Sequence, residues 1–144
     1  MLVVAKPSEM AVQASEDEVR AASAWLETAC EEAGVPADQV FRLDLCLNEV
    51  LANIIYHGGP SARTAPVLLS LCVGGETKGR QARLSVSDAG MAFNPLTAPV
   101  AKQATSLADV MPGGLGLTMI SCNSDRLEYA FLDGRNQLSV FVEW

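Results

Sequence analysis

Between Phe41 and Gly59 the residues Leu43, Leu47, Leu51, Ile54 and Ile55 recur at steps of three and four, the period of a helix that buries one stripe against a core. Glu49, Asn53 and His57 break this run at one spacing. Falling on every fourth residue, they stack along a single line beside the stripe. A carboxylate, a carboxamide and an imidazole can therefore face one ligand; the bland alternative is a solvated helix face, where most charged positions lie. Gly58 and Gly59 stop the helix just past His57. Pro36 and Asp38 open it, with proline near the first turn and an acid at the positive end of the dipole.

The remaining elements follow from pattern. Leu2 to Ala5, closed by Pro7, reads as a short edge strand, because proline cannot continue a ladder. Ser15 and Glu18 have the form of a capping box before a helix whose stripe of Val19, Ala22, Leu26, Ala29 and Cys30 runs to Gly34. Trp25 widens that stripe as core or as the surface of a homodimer. SARTAP is a polar turn, Val67 to Val73 a strand, and GGETKGR a hairpin turn. In the strand Ala82 to Asp88, Leu84, Val86 and Asp88 share one face. That parity sets the Asp88 carboxylate at the end of a core-facing row, where an unpaired charge is expensive. From Asn94 to Pro112 regular pattern is lost, and a loop of that length in a small domain is usually functional or mobile. A glycine-rich segment then leads into a helix at Leu117 and Ile120. The alternating runs around Leu127, Tyr129, Phe131 and Leu138, Val140, Val142 form a hairpin about a DGRN turn. Helices on one face of a mixed, mostly antiparallel sheet give a two-layer α/β sandwich in a single domain spanning 1–144.

Composition narrows the function. With 49% hydrophobic and 19% charged residues, the chain is not disordered. A net charge of -7 argues against a nucleic-acid partner, which needs clustered Lys and Arg. The four cysteines, Cys30, Cys46, Cys72 and Cys122, lie in apolar runs without a C-x-x-C pair, as reduced core thiols do. No run reaches the ~18 apolar residues of a membrane span, and the N-terminal apolar stretch is too short for a signal peptide. The expectation is a cytoplasmic protein with no membrane partner.

Three motifs stand in order: Glu49-x-x-x-Asn53, Asp88-Ala-Gly90-Met-Ala-Phe93-Asn-Pro95, and Pro112-Gly-Gly-Leu-Gly116-Leu. Together they resemble the adenine-nucleotide fold (GHKL, or Bergerat) shared by sensor histidine kinases, the Hsp90 chaperone, type II topoisomerases and the MutL repair protein. The stand-alone branch, the anti-sigma-factor serine/threonine kinases of bacterial partner-switching systems, is the most similar, and the closing DRLEYAFLDGRNQL looks like that branch too. The resemblance covers the chain from about Ser15 to its end.

What the resemblance implies can be checked against the chemistry of each residue. ATP or ADP and Mg²⁺ are the implied cofactors. The Asn53 carboxamide oxygen suits Mg²⁺, which takes its other ligands from water and phosphate. The resemblance assigns Glu49 the general-base role toward an incoming hydroxyl. Asp88 is implied to accept from the exocyclic amine of adenine; the structural alternative is an Asx turn capping its own loop. Gly90 lets backbone approach the base, and Phe93 is a pocket wall or plain core. Gly113, Gly114, Leu115, Gly116 and Leu117 form the glycine box, whose N–H groups at a helix N-terminus favour phosphate without a basic cradle. The loop of about 94–113 is the implied lid. His57 is either a helix-end contact beside the phosphates or a satisfied core histidine.

The implied partners are a small STAS-type antagonist as phosphorylation substrate and a sequestered regulator such as a sigma factor. Three departures from the family pattern stand out. Met111 and Pro112 replace an arginine that some members carry before the glycine box, Ala92 replaces the second glycine of the D-x-G-x-G box, and Asn136-Gln137 replaces a glycine-threonine. The first of these favours a second reading, a nucleotide-gated binding module without phosphotransfer.

Overall fold

The periodic stripes become two helices, α1 (Glu16–Ala33) and α2 (Ala37–His57), and the alternating runs become five strands. These are β1 (Ser8–Val12), β2 (Val67–Gly74), β3 (Gln81–Asp88), β4 (Arg126–Leu132) and β5 (Arg135–Glu143). The computed structural model describes residues 7–75, 79–94, 96 and 120–144. The strands form one sheet in the order β1-β2-β3-β5-β4. Every pairing among the described residues is antiparallel, so the mixed character expected of the sheet is absent from them. Both helices pack on the sheet, α1 against β1 and β2 and α2 against β3 and β5, which gives the two-layer sandwich.

Between the layers, Leu26 of α1 and Leu43 and Leu47 of α2 are fully buried against Leu69, Leu84, Val86, Val140 and Val142 of the sheet. Each such side chain contributes about 1.5–3 kcal/mol when removed from water. The alternation read in the sequence is the alternation of burial: Ala82, Leu84, Val86 and Asp88 all face this core.

Local details differ from the sequence reading for identifiable reasons. A strand at Ser8–Val12 follows Pro7; the edge strand expected at Leu2 to Ala5 lies outside the described residues. Among the described residues the Ser8–Val12 strand pairs with β2 alone, at the sheet margin. Ser15 is the N-cap of α1, but its hydroxyl makes no capping bond; Glu18 Oε1 instead accepts from the Gln13 amide at 3.5 Å. Gly34 closes α1 with φ +76°, a left-handed stop that glycine adopts without penalty. The expected polar turn holds a short 3₁₀ helix, Pro60–Arg63. Of the four thiols, Cys30 and Cys46 are buried as expected, whereas Cys72 is half-buried and Cys122 exposed. Trp25 packs on the core and donates from Nε1 to Ser8 Oγ at 3.1 Å, tying α1 to β1.

The β4–β5 hairpin turns at Asp133 (φ +54°) and Gly134 (φ +75°), two left-handed residues in succession as a two-residue primed turn requires. Arg135 and Asn136 therefore already belong to the ladder, with Asn136 directly opposite Asp88 across the β3–β5 pair.

A tether fixes α2 to the segment entering β4. Arg42 donates from Nε to the Asn123 carbonyl (3.1 Å) and from Nη2 to Asp125 Oδ1 (3.2 Å), while Asp125 Oδ2 accepts from the Glu143 amide (2.7 Å). Partial burial pushes the Asp125 carboxyl up, but the bonds from Arg42 and Glu143 outweigh it and hold its pKa below the usual carboxylate value. With the folded value depressed, the stabilisation is complete above the unfolded pKa of ~3.9 and is lost as pH falls through the folded value. Asp125→Asn should thus destabilise the protein at neutral pH and cost progressively less in acid, converging on wild type below the folded pKa. Urea melts run from neutral pH down through the carboxylate range test this; a gap that stays constant would contradict the assignment.

Candidate functional site

The last two turns of α2, the end of β3 and the start of β5 meet at one edge of the core. The floor between them is apolar, made by Val50, Ile54, Val86 and Leu138, and Asn53, His57, Asp88, Phe93, Tyr129 and Asn136 stand around it. The cleft holds about 50 Å³ of open room, enough for a few water molecules. Of the residues singled out in the sequence, Asn53, His57, Asp88 and Phe93 come together here. Glu49 sits one turn earlier on α2, half-buried, and does not line the cleft. Its charge is felt by the neighbouring Cys46 thiol, which burial pushes up to about 11, with Arg42 opposing and Glu49 adding to the shift. Gly113, Gly114, Leu115, Gly116 and Leu117, and the expected lid apart from Asn94 and Leu96, lie outside the described residues.

Asp88 is buried, 7% exposed, and its environment explains how a carboxylate is kept there. Oδ1 accepts from the Gly90 amide at 2.9 Å and from Asn136 Nδ2 at 3.2 Å. The Asx turn left open by the sequence is thus formed, but through one oxygen. Oδ2 takes no hydrogen bond among the described residues and remains for the cleft that Asp88 lines.

Asn136, which the sequence reading placed in a turn, organises the loop after β3. Its Nδ2 also donates to the carbonyls of Gly90 (3.3 Å) and Met91 (2.9 Å), and its Oδ1 accepts from the Phe93 amide (3.0 Å) and from the Tyr129 hydroxyl. The signal for it was present: two residues before Leu138, Asn136 continues the core-facing parity of Leu138, Val140 and Val142. Arg135 secures the same strand from its other face, donating from Nε to Ser87 Oγ (2.8 Å) and from Nη2 to the Ser87 (2.9 Å) and Pro66 (2.8 Å) carbonyls.

Two glycines let the loop meet α2. The Met91 amide donates to the Gly58 carbonyl at 3.0 Å, so the loop docks on the helix end. A Cβ on Gly90 would stand 2.8 Å from Asp88 Oδ1 and 3.0 Å from the Gly58 Cα and carbonyl oxygen. Two of those neighbours are backbone and cannot rotate away. Gly90→Ala should therefore displace the loop and destabilise the fold by about 1–3 kcal/mol, the usual cost of overpacking. Chemical denaturation measures this, and a variant as stable as wild type would show that the loop does not sit against Gly58.

Comparison with known proteins adds independent observations. The family described as histidine kinase-like ATPase domain matches residues 12–141. The serine/threonine-protein kinase BtrW of Bordetella bronchiseptica is 34% identical over 116 residues, covering 81% of this chain and 79% of that protein. A solved structure of the RsbU and RsbW domains of a Mycobacterium tuberculosis protein superposes with a TM-score of 0.66 at 14% identity, over 95% of this chain. The chain spans 32% of the length of that structure, and at this identity the likeness is one of fold.

Proposed function

The chain belongs to the histidine kinase-like ATPase domain family, and on that premise we propose that it is an ATP-dependent serine/threonine protein kinase of a partner-switching pathway. Its protein substrate is a small STAS-type antagonist, and it sequesters a regulator such as a sigma factor. The observation that carries the reading is the convergence of Asn53 and His57 with a buried Asp88 at one apolar-floored cleft. A carboxylate oxygen that takes no hydrogen bond among the described residues, beside an apolar floor, suits the edge of a flat amino-substituted base.

ATP supplies the transferable phosphoryl group when bound. Toward it, Asp88 Oδ2 would accept from the base amine, and Val86, Leu138 and Ile54, which line the cleft, would exclude water from the ring faces. The Asn53 amide oxygen would hold Mg²⁺ carried with the phosphates. The glycine box of Gly113, Gly114 and Gly116, outside the described residues, would supply backbone amides to the phosphates. Glu49 orients the incoming serine or threonine hydroxyl and takes its proton.

One observation favours a second reading. Glu49 stands outside the cleft lining, as it would if the pocket held nucleotide only to shape a binding surface. Paired substitutions separate the two. Asn53→Ala should lose Mg²⁺-dependent nucleotide affinity and phosphate transfer together. Glu49→Gln keeps shape and hydrogen bonding, so nucleotide and antagonist binding should survive while transfer from labelled ATP falls by ~10²–10⁴-fold, the usual worth of a positioned base. Equal, negligible transfer by wild type and Glu49→Gln to an antagonist that both bind would establish the binding module instead.

A further inference from the structure

Asn136 has its amide engaged at both ends. On the nitrogen side, two protons are shared among Asp88 Oδ1, the Gly90 carbonyl and the Met91 carbonyl; on the oxygen side stand the Phe93 amide and the Tyr129 hydroxyl. The backbone partners fix which end is which, since carbonyls only accept and the Phe93 N–H only donates. Two consequences follow for neighbours that line the cleft. The Tyr129 hydroxyl has a single proton, and that proton is committed to Asn136 Oδ1, leaving its oxygen able only to accept. Asp88 meets its structural donors through Oδ1, leaving Oδ2 as an acceptor.

We propose that Asn136 is a positioning residue that sets base specificity: by fixing the Tyr129 proton and the Asp88 carboxylate it makes Tyr129 and Asp88, among the described residues, acceptors toward this end of the cleft. An amino-purine, which offers N–H groups there, is accepted; an oxo-purine, which offers a carbonyl oxygen, meets lone pairs with lone pairs. The inference rests on the nucleotide reading above and adds to it the residues that choose the base. Neither Asn136 nor Tyr129 transfers anything. Asn136 acts through its neighbours, and Tyr129 contributes one acceptor whose direction Asn136 determines.

The test is the ratio of MgATP to MgGTP affinity, measured by calorimetry on the full chain, with thermal melts to confirm folding. Wild type should prefer ATP by about a hundredfold or more, since a site with buried polar groups rejects an analogue that leaves them unpaired. Tyr129→Phe deletes one acceptor and leaves the Asn136 bond to Phe93 in place. It should fold and lower the ratio about three- to tenfold, the worth of one hydrogen bond. Asn136→Ala releases the Tyr129 proton toward the cleft, where it can donate to an oxo-purine, and should lower the ratio by about tenfold or more. Were Asn136→Ala not to fold, Tyr129→Phe carries the test alone. A purely structural role weakens both nucleotides by the same factor, and an unchanged ratio in folded Tyr129→Phe overturns the inference while leaving the nucleotide reading intact. Wild type that binds both nucleotides equally also overturns it, and wild type that binds neither overturns the nucleotide reading as well.

Discussion

A carboxyl group buried at the end of a core-facing strand row must be hydrogen-bonded, or its burial costs stability. Asp88 meets that requirement through its own loop and through the strand beside it, and the geometry of the cleft follows from how it does so. The Gly90 amide and Asn136 Nδ2 both reach Oδ1. Asn136 can be there because β5, not β4, lies next to β3. The chain leaves β3, returns through β4, and turns over Asp133 and Gly134 so that Asn136 arrives opposite Asp88. The same amide then gathers the Gly90 and Met91 carbonyls and the Phe93 amide, and Met91 in turn bonds the end of α2. A sheet topology is thereby converted into a fixed pocket wall.

Much of this was legible in the sequence because two periods carry it. Steps of three and four placed both helices, and alternation placed Leu84, Val86 and Asp88 on the buried face. The line of Glu49, Asn53 and His57 was also readable, since helical spacing alone aligns them. What periodicity does not encode is where the turn ends. Asn136 continues the parity of Leu138, but DGRN composition assigned it to the turn, whereas positive φ at Asp133 and Gly134 completes the reversal in two residues and starts the ladder at Arg135. The capping box at Ser15 marked the right place but not the bonds, because a hydroxyl and a carboxylate at a chain bend have other partners in reach, here the Gln13 amide. Cys122 follows an apolar run and is nevertheless exposed, because a helical run has a wet side as well as a buried one.

The site also explains how an acidic chain suits an anionic ligand. With a net charge of -7, the proposed nucleotide affinity would draw on directed groups and on a cation carried with the phosphates rather than on a basic field. In the proposed reading Asp88 fits that economy, since the oxygen not bonded to Gly90 and Asn136 would accept from a neutral amine on the base. The tethers at Arg42 and Arg135 use the cations available to hold α2 and β5 in place. Two of the chain's basic groups thus serve the frame of the cleft.

The central claim is that Asp88 divides its two oxygens between frame and ligand, and Asp88→Asn tests it directly. An asparagine can keep its oxygen toward Gly90 and Asn136, so the frame and the melting temperature should hold, while its NH₂ replaces Oδ2 and faces the base amine donor to donor. Calorimetry with MgATP should then show affinity reduced by roughly ten- to a hundredfold, the loss of one charge-assisted hydrogen bond of ~1.5–3 kcal/mol. A folded Asp88→Asn protein that binds ATP as wild type does would contradict the account.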